Sequence, residues 1–420
     1  MTNAFRVFAP QPRLGGTVAL ESSKSLSNRA LIIRSFCDVP FDIQNLSTSD
    51  DTDALVTMLS SDEDDLYSGH AGSSYRFMVA KACFLDREVT IDASEQLRRR
   101  PIGPLVRALQ TLGADITYLN KEGFPPLRVR PVKDIGKNEN EITLQSGISS
   151  QYITALLLIA PCLPNGLTIH LLDEPVSASY IYMTLNLMQY FGIPHTWENN
   201  TIRIEPGKYQ PKPFRVEGDW SSASYYYSIV ALAQEADLHI EGLHAESIQG
   251  DATVASLYAS LGVETIFEEK GIHLRKNKAE RPKEFAFDFS RCPDLAQTIM
   301  VTLAGLGIKG KLSGLKTLRI KETDRLAAMQ AELARIKTTL EIKEEQNNIT
   351  CLLFGKAKWK DKAKFNTYED HRMAMAFAPL ACLNPIVIKN PEVVSKSYPG
   401  FWKDIDLIGI KTIKTKEKGS

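Results

Sequence analysis

Two short stretches mix acids and bases closely enough to move protons. RIKETDRL holds Lys321, Glu322, Thr323, Asp324 and Arg325, and YEDHRMAM holds Glu369, Asp370, His371 and Arg372 just before an apolar run. Carboxylic acids beside lysine and histidine are the groups general acid–base catalysis uses. Cations also gather where helices should begin: Lys24 and Arg29 at the first such opening, Arg76 at the second, and Arg98, Arg99 and Arg100 ahead of Pro101. A positive side chain at a helix N-terminus opposes the macrodipole, and an anionic ligand relieves that conflict. The competing reading is ordinary capping, because Ser, Asp and Gly are what helix starts prefer. For RIKETDRL a solvated, charge-laced helix start is the alternative. Capping accounts for Asp370 but not for the cation pair that follows it.

Several other chemistries lack their residues. The chain has no G-x-x-x-x-G-K-[ST], no G-x-G-x-x-G after a strand and no H-E-x-x-H, so nucleotide and zinc-protease readings have no support. His70, His170, His195, His239, His244 and His273 are scattered without ligand spacing, and we expect no metal and no organic cofactor. Fifty basic residues balance fifty acidic ones, so no global field recruits nucleic acid or an anionic membrane. The apolar run Met373 to Leu383 contains Pro379 and is far shorter than the roughly 18 to 20 residues of a membrane span. The opening MTNAFRVFAPQPRLGG has no signal-peptide core. Cys37, Cys83, Cys162, Cys292, Cys351 and Cys382 lie far apart with no C-x-x-C, which fits thiols in a reducing cytosol. We therefore expect a soluble cytoplasmic protein and a monomer.

The elements that must position these residues recur. Six times a polar turn opens a helix that is apolar nearly all round: SSKSLSNRALIIRSFC, GSSYRFMVAKACFL, SSQYITALLLIAPCL, WSSASYYYSIVALA, CPDLAQTIMVTLAGL and DHRMAMAFAPLACL. Each is followed by a short β-branched strand such as EVTIDA or DLHIEGL. A second, amphipathic helix comes next, as in PIGPLVRALQTLG or DRLAAMQAELARI. Hairpin-like strands such as TIRIEP and GIHLRK close most units, and the first unit is truncated at SDEDD. Helices apolar all round, beside strands that alternate as in LRVR and IHLRK, predict helices inside and sheets outside. Six units in 420 residues exceed one core, and three plus three is the natural division. KYQPKPF, with two prolines near the middle, is the expected crossing.

These segments together resemble the 5-enolpyruvylshikimate-3-phosphate synthase family of enolpyruvyl transferases. The resemblance runs in order through SKSLSNRAL, HAGSSYRFM, RRRPIGPL, SGISSQYITALL, PVSASYIYMTLNLM, VEGDWSSASYY, RCPDLAQT, RIKETDRLAAM and YEDHRMAMAF, nearly the whole chain. It implies a two-domain inside-out α/β barrel with three units per domain. One domain would combine residues 1–22 with 218–420, and the other would span 23–217. The implied reaction moves the enolpyruvyl group of phosphoenolpyruvate to the 5-hydroxyl of shikimate 3-phosphate, releasing phosphate, in aromatic amino acid biosynthesis. Glyphosate competes with phosphoenolpyruvate in this family.

Carried over residue by residue, the resemblance implies that Lys24, Ser25, Arg29, Ser149, Ser150, Gln151, Ser177, Tyr180, Asp294 and Lys321 contact shikimate 3-phosphate. Lys24, Gly72, Arg100, Gln151, Arg325, Arg372 and Lys396 match the phosphoenolpyruvate cradle. Asp294 would accept from the attacking hydroxyl. Glu322 would protonate C3, with Lys321 and His371 as rivals, and Lys24 completes the catalytic set. The chain departs from the family's commonest pattern at Glu21-Ser22 for Pro-Gly, His70 for Asn, Phe77 for Pro and Thr317 for Asn. A UDP-N-acetylglucosamine enolpyruvyl transferase is the nearest alternative, but SEQLRRRPIG lacks the cysteine that family places near its Arg-rich turn. A non-catalytic anion-binding protein would be expected to have lost the acid and base residues that are present.

Overall fold

In the computed structural model, residues 2–145, 149–172, 175, 177–277, 280–345 and 348–417 are described. The chain forms two compact units, one made of Met1–Ser22 with Glu217–Ser420 and the other of Ser23–Val216. Glu217 accepts a 2.7 Å hydrogen bond from Ser247, which anchors it in the larger unit. KYQPKPF is not the crossing. It lies wholly in the smaller unit, where the buried Tyr209 donates to the Leu158 carbonyl at 2.9 Å, and the chain leaves only after Val216. At the crossing, Ser22 bridges Gly218, and the Asp219 amide donates to the Glu21 carbonyl at 2.9 Å.

The six recurring helices form at Lys24–Ser35, Gly72–Ala82, Ser150–Ile159, Trp220–Leu232, Ala296–Leu306 and His371–Phe377. Every residue of Trp220–Leu232 is buried, as is all of Tyr152–Ile159. A helix buried on all sides must satisfy its small polar side chains internally. Here they pair across helices: Ser228 with Thr302 at 2.7 Å in the larger unit, and Thr154 with Thr184 at 3.1 Å in the smaller. Asn28 reaches Ser74 at 3.1 Å and accepts from Thr52 at 2.9 Å.

Five four-stranded sheets share one topology, in which a strand runs parallel to the next and an antiparallel pair completes the sheet. In the smaller unit, Asp65–Tyr67 runs parallel to Val89–Asp92, which pairs antiparallel with Leu127–Arg130 and through it with Asp115–Tyr118. Glu141–Leu144, Leu167–Leu171, Thr201–Ile204 and His195–Glu198 repeat this order. Among the described residues, the truncated first unit has only Ile43–Gln44 paired with Phe214–Arg215. In the larger unit the chain's own N-terminus supplies missing strands. Thr2–Phe8 lies between Ile386–Lys389 and Lys411–Glu417, and Arg13–Ala19 runs parallel to Glu235–Glu241. Each unit is therefore an α/β assembly with helices in its centre and sheets around them.

One strand departs from its expected alternation. Gly271–Leu274 of GIHLRK is buried at every position because the outward-facing His273 is covered by His239, Glu268 and Asp237. Among the described residues, no helix is long and apolar enough to cross a membrane.

Candidate active site

The larger unit builds its cluster around Arg325, the first residue of the Arg325–Ala334 helix, which is 1% exposed. Its Nε donates to Asp370 at 2.7 Å, Nη1 to Asp294 at 2.9 Å and Nη2 to Glu322 at 2.7 Å. Burial alone would lower the pKa of this guanidinium, but Asp370, Glu322 and Asp294 outweigh burial and raise it. Arg372 binds the other oxygen of Asp294 at 3.0 Å and reaches the Tyr225 hydroxyl at 3.4 Å. Lys321, half-buried, stands 3.5 Å from Asp294. Burial lowers its pKa, partly opposed by Asp294. A lysine whose charged form is disfavoured by burial, placed beside a carboxylate, is suited to exchanging protons.

Capping and chemistry separate within RIKETDRL. One oxygen of Asp324 accepts from the Leu326 and Ala327 amides at 3.1 Å, and the other takes Arg319 at 2.7 Å. Asp324 and Arg319 thus secure the helix start, while Lys321 and Arg325 face Asp294 and Glu322 binds Arg325. Asp370 does both jobs, capping its own helix through the Arg372 amide at 2.9 Å while binding Arg325. His371 is buried, with Nδ1 3.7 Å from Asp370. Asp294 opens its helix through a 3-10 turn, Pro293–Leu295. Lys396 is buried at the end of another, Pro391–Lys396.

The smaller unit gathers cations and small polar groups. Arg29 is buried, donating to Thr184 at 2.8 Å, Thr154 at 3.3 Å and the carbonyls of Ser25 at 2.7 Å and Tyr180 at 3.3 Å. All four acceptors are neutral, and burial lowers its pKa to about 10. A buried cation held by neutral dipoles keeps its charge available for an anion. Arg76 is also buried, and its Nη1 donates to the Gly72 carbonyl and to Gln151 Oε1, both at 2.9 Å. The Arg76 Nε meets no partner among the described residues.

A Cβ at Gly72 would lie 2.8 Å from Nη1 of both Arg76 and Arg100, so any larger residue there must displace the ends of those two side chains. Ser149 caps the Ser150–Ile159 helix through the Gln151 amide. Residues 146–148 of SGISSQ lie outside the described set. Ser177 sits at φ 66° before the Ala178–Tyr190 helix, a left-handed conformation that is strained for serine and recurs at ligand-binding positions. Lys24 is not an isolated cation, since Asp51 binds it at 3.0 Å.

The structure thus brings Asp294, Lys321, Glu322, Arg325, His371 and Arg372 together in one unit. In the other, Arg29 is joined to Ser25 and Tyr180, Arg76 links Gly72 to Gln151, and Arg100 lies beside Gly72. Sequence reading missed Asp51, Thr154, Thr184 and Asp251, and it noted Arg76 without giving it a role. Lone acids and threonines inside helical stretches carry no spacing signal. Asp251 is buried and accepts a short hydrogen bond from Ser221. Burial, then the charge of Asp294, push its carboxyl up to about 7, opposed by Arg372. Thr317, standing where the resembled family has Asn, is buried with its hydroxyl unpartnered among the described residues. Of the scattered histidines, His239 and His273 come together, their rings stacked 4.0 Å apart.

Comparison with known proteins matches residues 55–405 to the EPSP synthase (3-phosphoshikimate 1-carboxyvinyltransferase) family. A 3-phosphoshikimate 1-carboxyvinyltransferase of Bacteroides fragilis is 43% identical over 404 residues, covering 94% of this chain and 96% of the relative. One from Cellvibrio japonicus is 33% identical over 423 residues, covering 94% and 97%. The solved structure of EPSP synthase from Acinetobacter baumannii superposes with a TM-score of 0.78 at 19% identity, covering 99% of this chain and 100% of that one, and so shares the fold. With a family match across most of its length and a relative at 43% identity, this chain belongs to the EPSP synthase (3-phosphoshikimate 1-carboxyvinyltransferase) family.

Proposed function

We propose that the carboxylate–cation cluster centred on Arg325 carries the proton transfers of enolpyruvyl transfer, the reaction of this family. The 5-hydroxyl of shikimate 3-phosphate adds to C2 of phosphoenolpyruvate while C3 gains a proton. The C2–O bond to phosphate then breaks as C3 gives up a proton, which restores the C2=C3 double bond and leaves 5-enolpyruvylshikimate 3-phosphate and inorganic phosphate. C2 becomes electrophilic only as C3 is protonated, so an acid must face C3 while another group receives the hydroxyl proton. Asp294 takes the acceptor role and Glu322 the C3 role, with Lys321 and His371 as the other candidate donors. The observation that carries this reading is the joining of Asp294 and Glu322 through one buried guanidinium, with Lys321 3.5 Å from Asp294.

Two polyanions must be held in reacting contact, which needs fixed cations in a dry site. In the smaller unit Lys24, Ser25, Arg29, Ser149, Ser150, Gln151, Ser177 and Tyr180 are assigned to shikimate 3-phosphate. Lys24, Gly72, Arg100 and Gln151 are assigned to phosphoenolpyruvate. In the larger unit, taken by itself, Arg325, Arg372 and Lys396 are the residues assigned to phosphoenolpyruvate. Arg325 already binds three carboxylates, so it acts first as the organiser of the acids and only through a realigned hydrogen bond as a ligand. No cofactor enters the scheme. We also read the enzyme as a cytoplasmic monomer; its six cysteines are free thiols, which suits a reducing compartment.

The test is phosphate release from phosphoenolpyruvate with purified protein. Turnover with shikimate 3-phosphate and none with UDP-N-acetylglucosamine is expected. The reverse preference would move the chain to the sister transferase, and release with neither acceptor would leave only anion binding.

A further inference from the structure

We propose that Asp237, His239 and His273, with Glu268 beside them, form a site for a divalent transition-metal ion of the zinc class on the outer face of a sheet in the larger unit. The placement follows from strand register. Asp237 and His239 are two residues apart on Glu235–Glu241, so they share a face. His273 is the direct antiparallel partner of His239, and Glu268 closes the hairpin on the adjoining strand opposite Gly271. One ligand atom from each of Asp237, His239 and His273 lies within 4.8 Å of the others.

The hydrogen-bonding pattern has a conflict that a metal would remove. His273 Nε2 stands 2.5 Å from an Asp237 oxygen, which requires a proton on that nitrogen, yet Arg275 Nε donates to the same atom at 3.2 Å, which requires a lone pair. No single protonation state satisfies both partners. The His239 ring stacks on His273 at 4.0 Å and 17°, and Glu268 faces both, 3.2 Å from His239 and 3.6 Å from His273. Two imidazoles with carboxylates suit zinc, nickel or copper ions, whereas calcium and magnesium prefer all-oxygen sets.

Tetrahedral ligands about 2.1 Å from an ion sit about 3.4 Å from one another, so the donors must close in slightly. Asp237, His239 and Glu268 are half exposed and able to do so, while His273 is buried and fixes the centre. Arg275, half exposed, would swing away. A surface recess of 420 Å³ lined in part by Thr17, His239, Glu268 and Lys270 gives an ion its entry. None of these residues belongs to the cluster proposed for catalysis. Because the unfolded chain lacks the site, a bound ion would stabilise the larger unit.

Tag-free, chelator-washed full-length protein is titrated with zinc chloride by calorimetry and by thermal melting. One zinc per chain, a higher Tm that a chelator reverses, and no response to magnesium or calcium are expected. His239→Ala should weaken zinc binding about 10- to 100-fold without changing turnover in metal-free buffer. Arg275→Ala should tighten binding, since it removes the competing cation. Absence of zinc binding by the wild type, or equal affinity in His239→Ala, would overturn the site. So would weaker binding in Arg275→Ala, because an ion-pair network alone loses a member there.

Discussion

The guanidinium of Arg29 lies over the ring of Phe77, 5.7 Å from its centroid, and both residues are buried. The resembled family commonly has Pro at position 77, so in this chain an aromatic face supports the arginine assigned to shikimate 3-phosphate. A buried cation–π contact is worth about 0.5 to 2 kcal/mol. Phe77→Leu keeps the bulk but removes the π face, and the KM for shikimate 3-phosphate should rise about two- to thirtyfold with kcat nearly unchanged. An unchanged KM would mean that the threonines and carbonyls alone hold Arg29.

The same residue bears on glyphosate. The Gly72–Ala82 helix runs unbroken through Phe77, where Pro would remove an amide donor and kink the helix. Gly72 leaves room, so inhibition is expected, but weaker than in the Phe77→Pro variant. Inhibition constants measured for both proteins decide it, and equal potency would show that Phe77 leaves the ligand-facing helix start undisturbed.

Gly72→Ala should fold and bind phosphoenolpyruvate poorly. Its methyl would meet both Arg76 and Arg100 at 2.8 Å, and the two side chains must move, Arg76 within a buried setting. Displacing the ends of two flexible side chains falls at the low end of the about 1 to 3 kcal/mol that overpacking costs, expected as a rise of about five- to thirtyfold in the KM for phosphoenolpyruvate. Steady-state kinetics at saturating shikimate 3-phosphate provide the check, with a normal KM counting against the assignment of Arg100.

Glu322→Gln and Asp294→Asn should both lower turnover by about two to four orders of magnitude while shikimate 3-phosphate still binds. Their stabilities should differ. Glu322→Gln keeps an oxygen for the bond to Arg325, whereas Asp294→Asn weakens contacts to Arg325, Arg372 and Lys321 together. Removing a charge from a buried network costs about 3 to 5 kcal/mol at most, so only Asp294→Asn should show a large fall in Tm. Near-normal turnover in either variant would remove it from the proton-handling set.

Asp251 gives a pH signature. Its carboxyl is pushed up to about 7 by burial and by Asp294, against about 3.9 in an unfolded chain. Between these values the folded protein holds a proton that the unfolded chain has released, so this group's stabilisation is full below about pH 4 and is lost as pH rises to about 7. Asp251→Asn has no such loss. Its advantage over the wild type should grow across that window and then level off, at no more than about 4 kcal/mol. Denaturant melts at four pH values would reveal it, and parallel curves for the two proteins would exclude titration of Asp251.

Local residues decide much of this protein. Apolar runs opened by polar turns, four of the six with a Ser-Ser pair, determine the six inner helices, because a helix apolar all round has only an interior to occupy. The order of motifs such as RIKETDRLAAM and YEDHRMAMAF determines the family, since so many joint matches need nearly the whole chain. What the local pattern could not decide depends on partners distant in sequence. Lys24 gains Asp51, and Arg29 gains Thr154 and Thr184, only when helices pack side by side. Arg325 becomes the hub of three acids only because the starts of three helical segments converge, with Asp294 and Asp370 contributed from 31 and 45 residues away. His239 and His273 have no ligand spacing along the chain. Antiparallel register makes them neighbours, because strand pairing sets distance by partner and not by sequence separation.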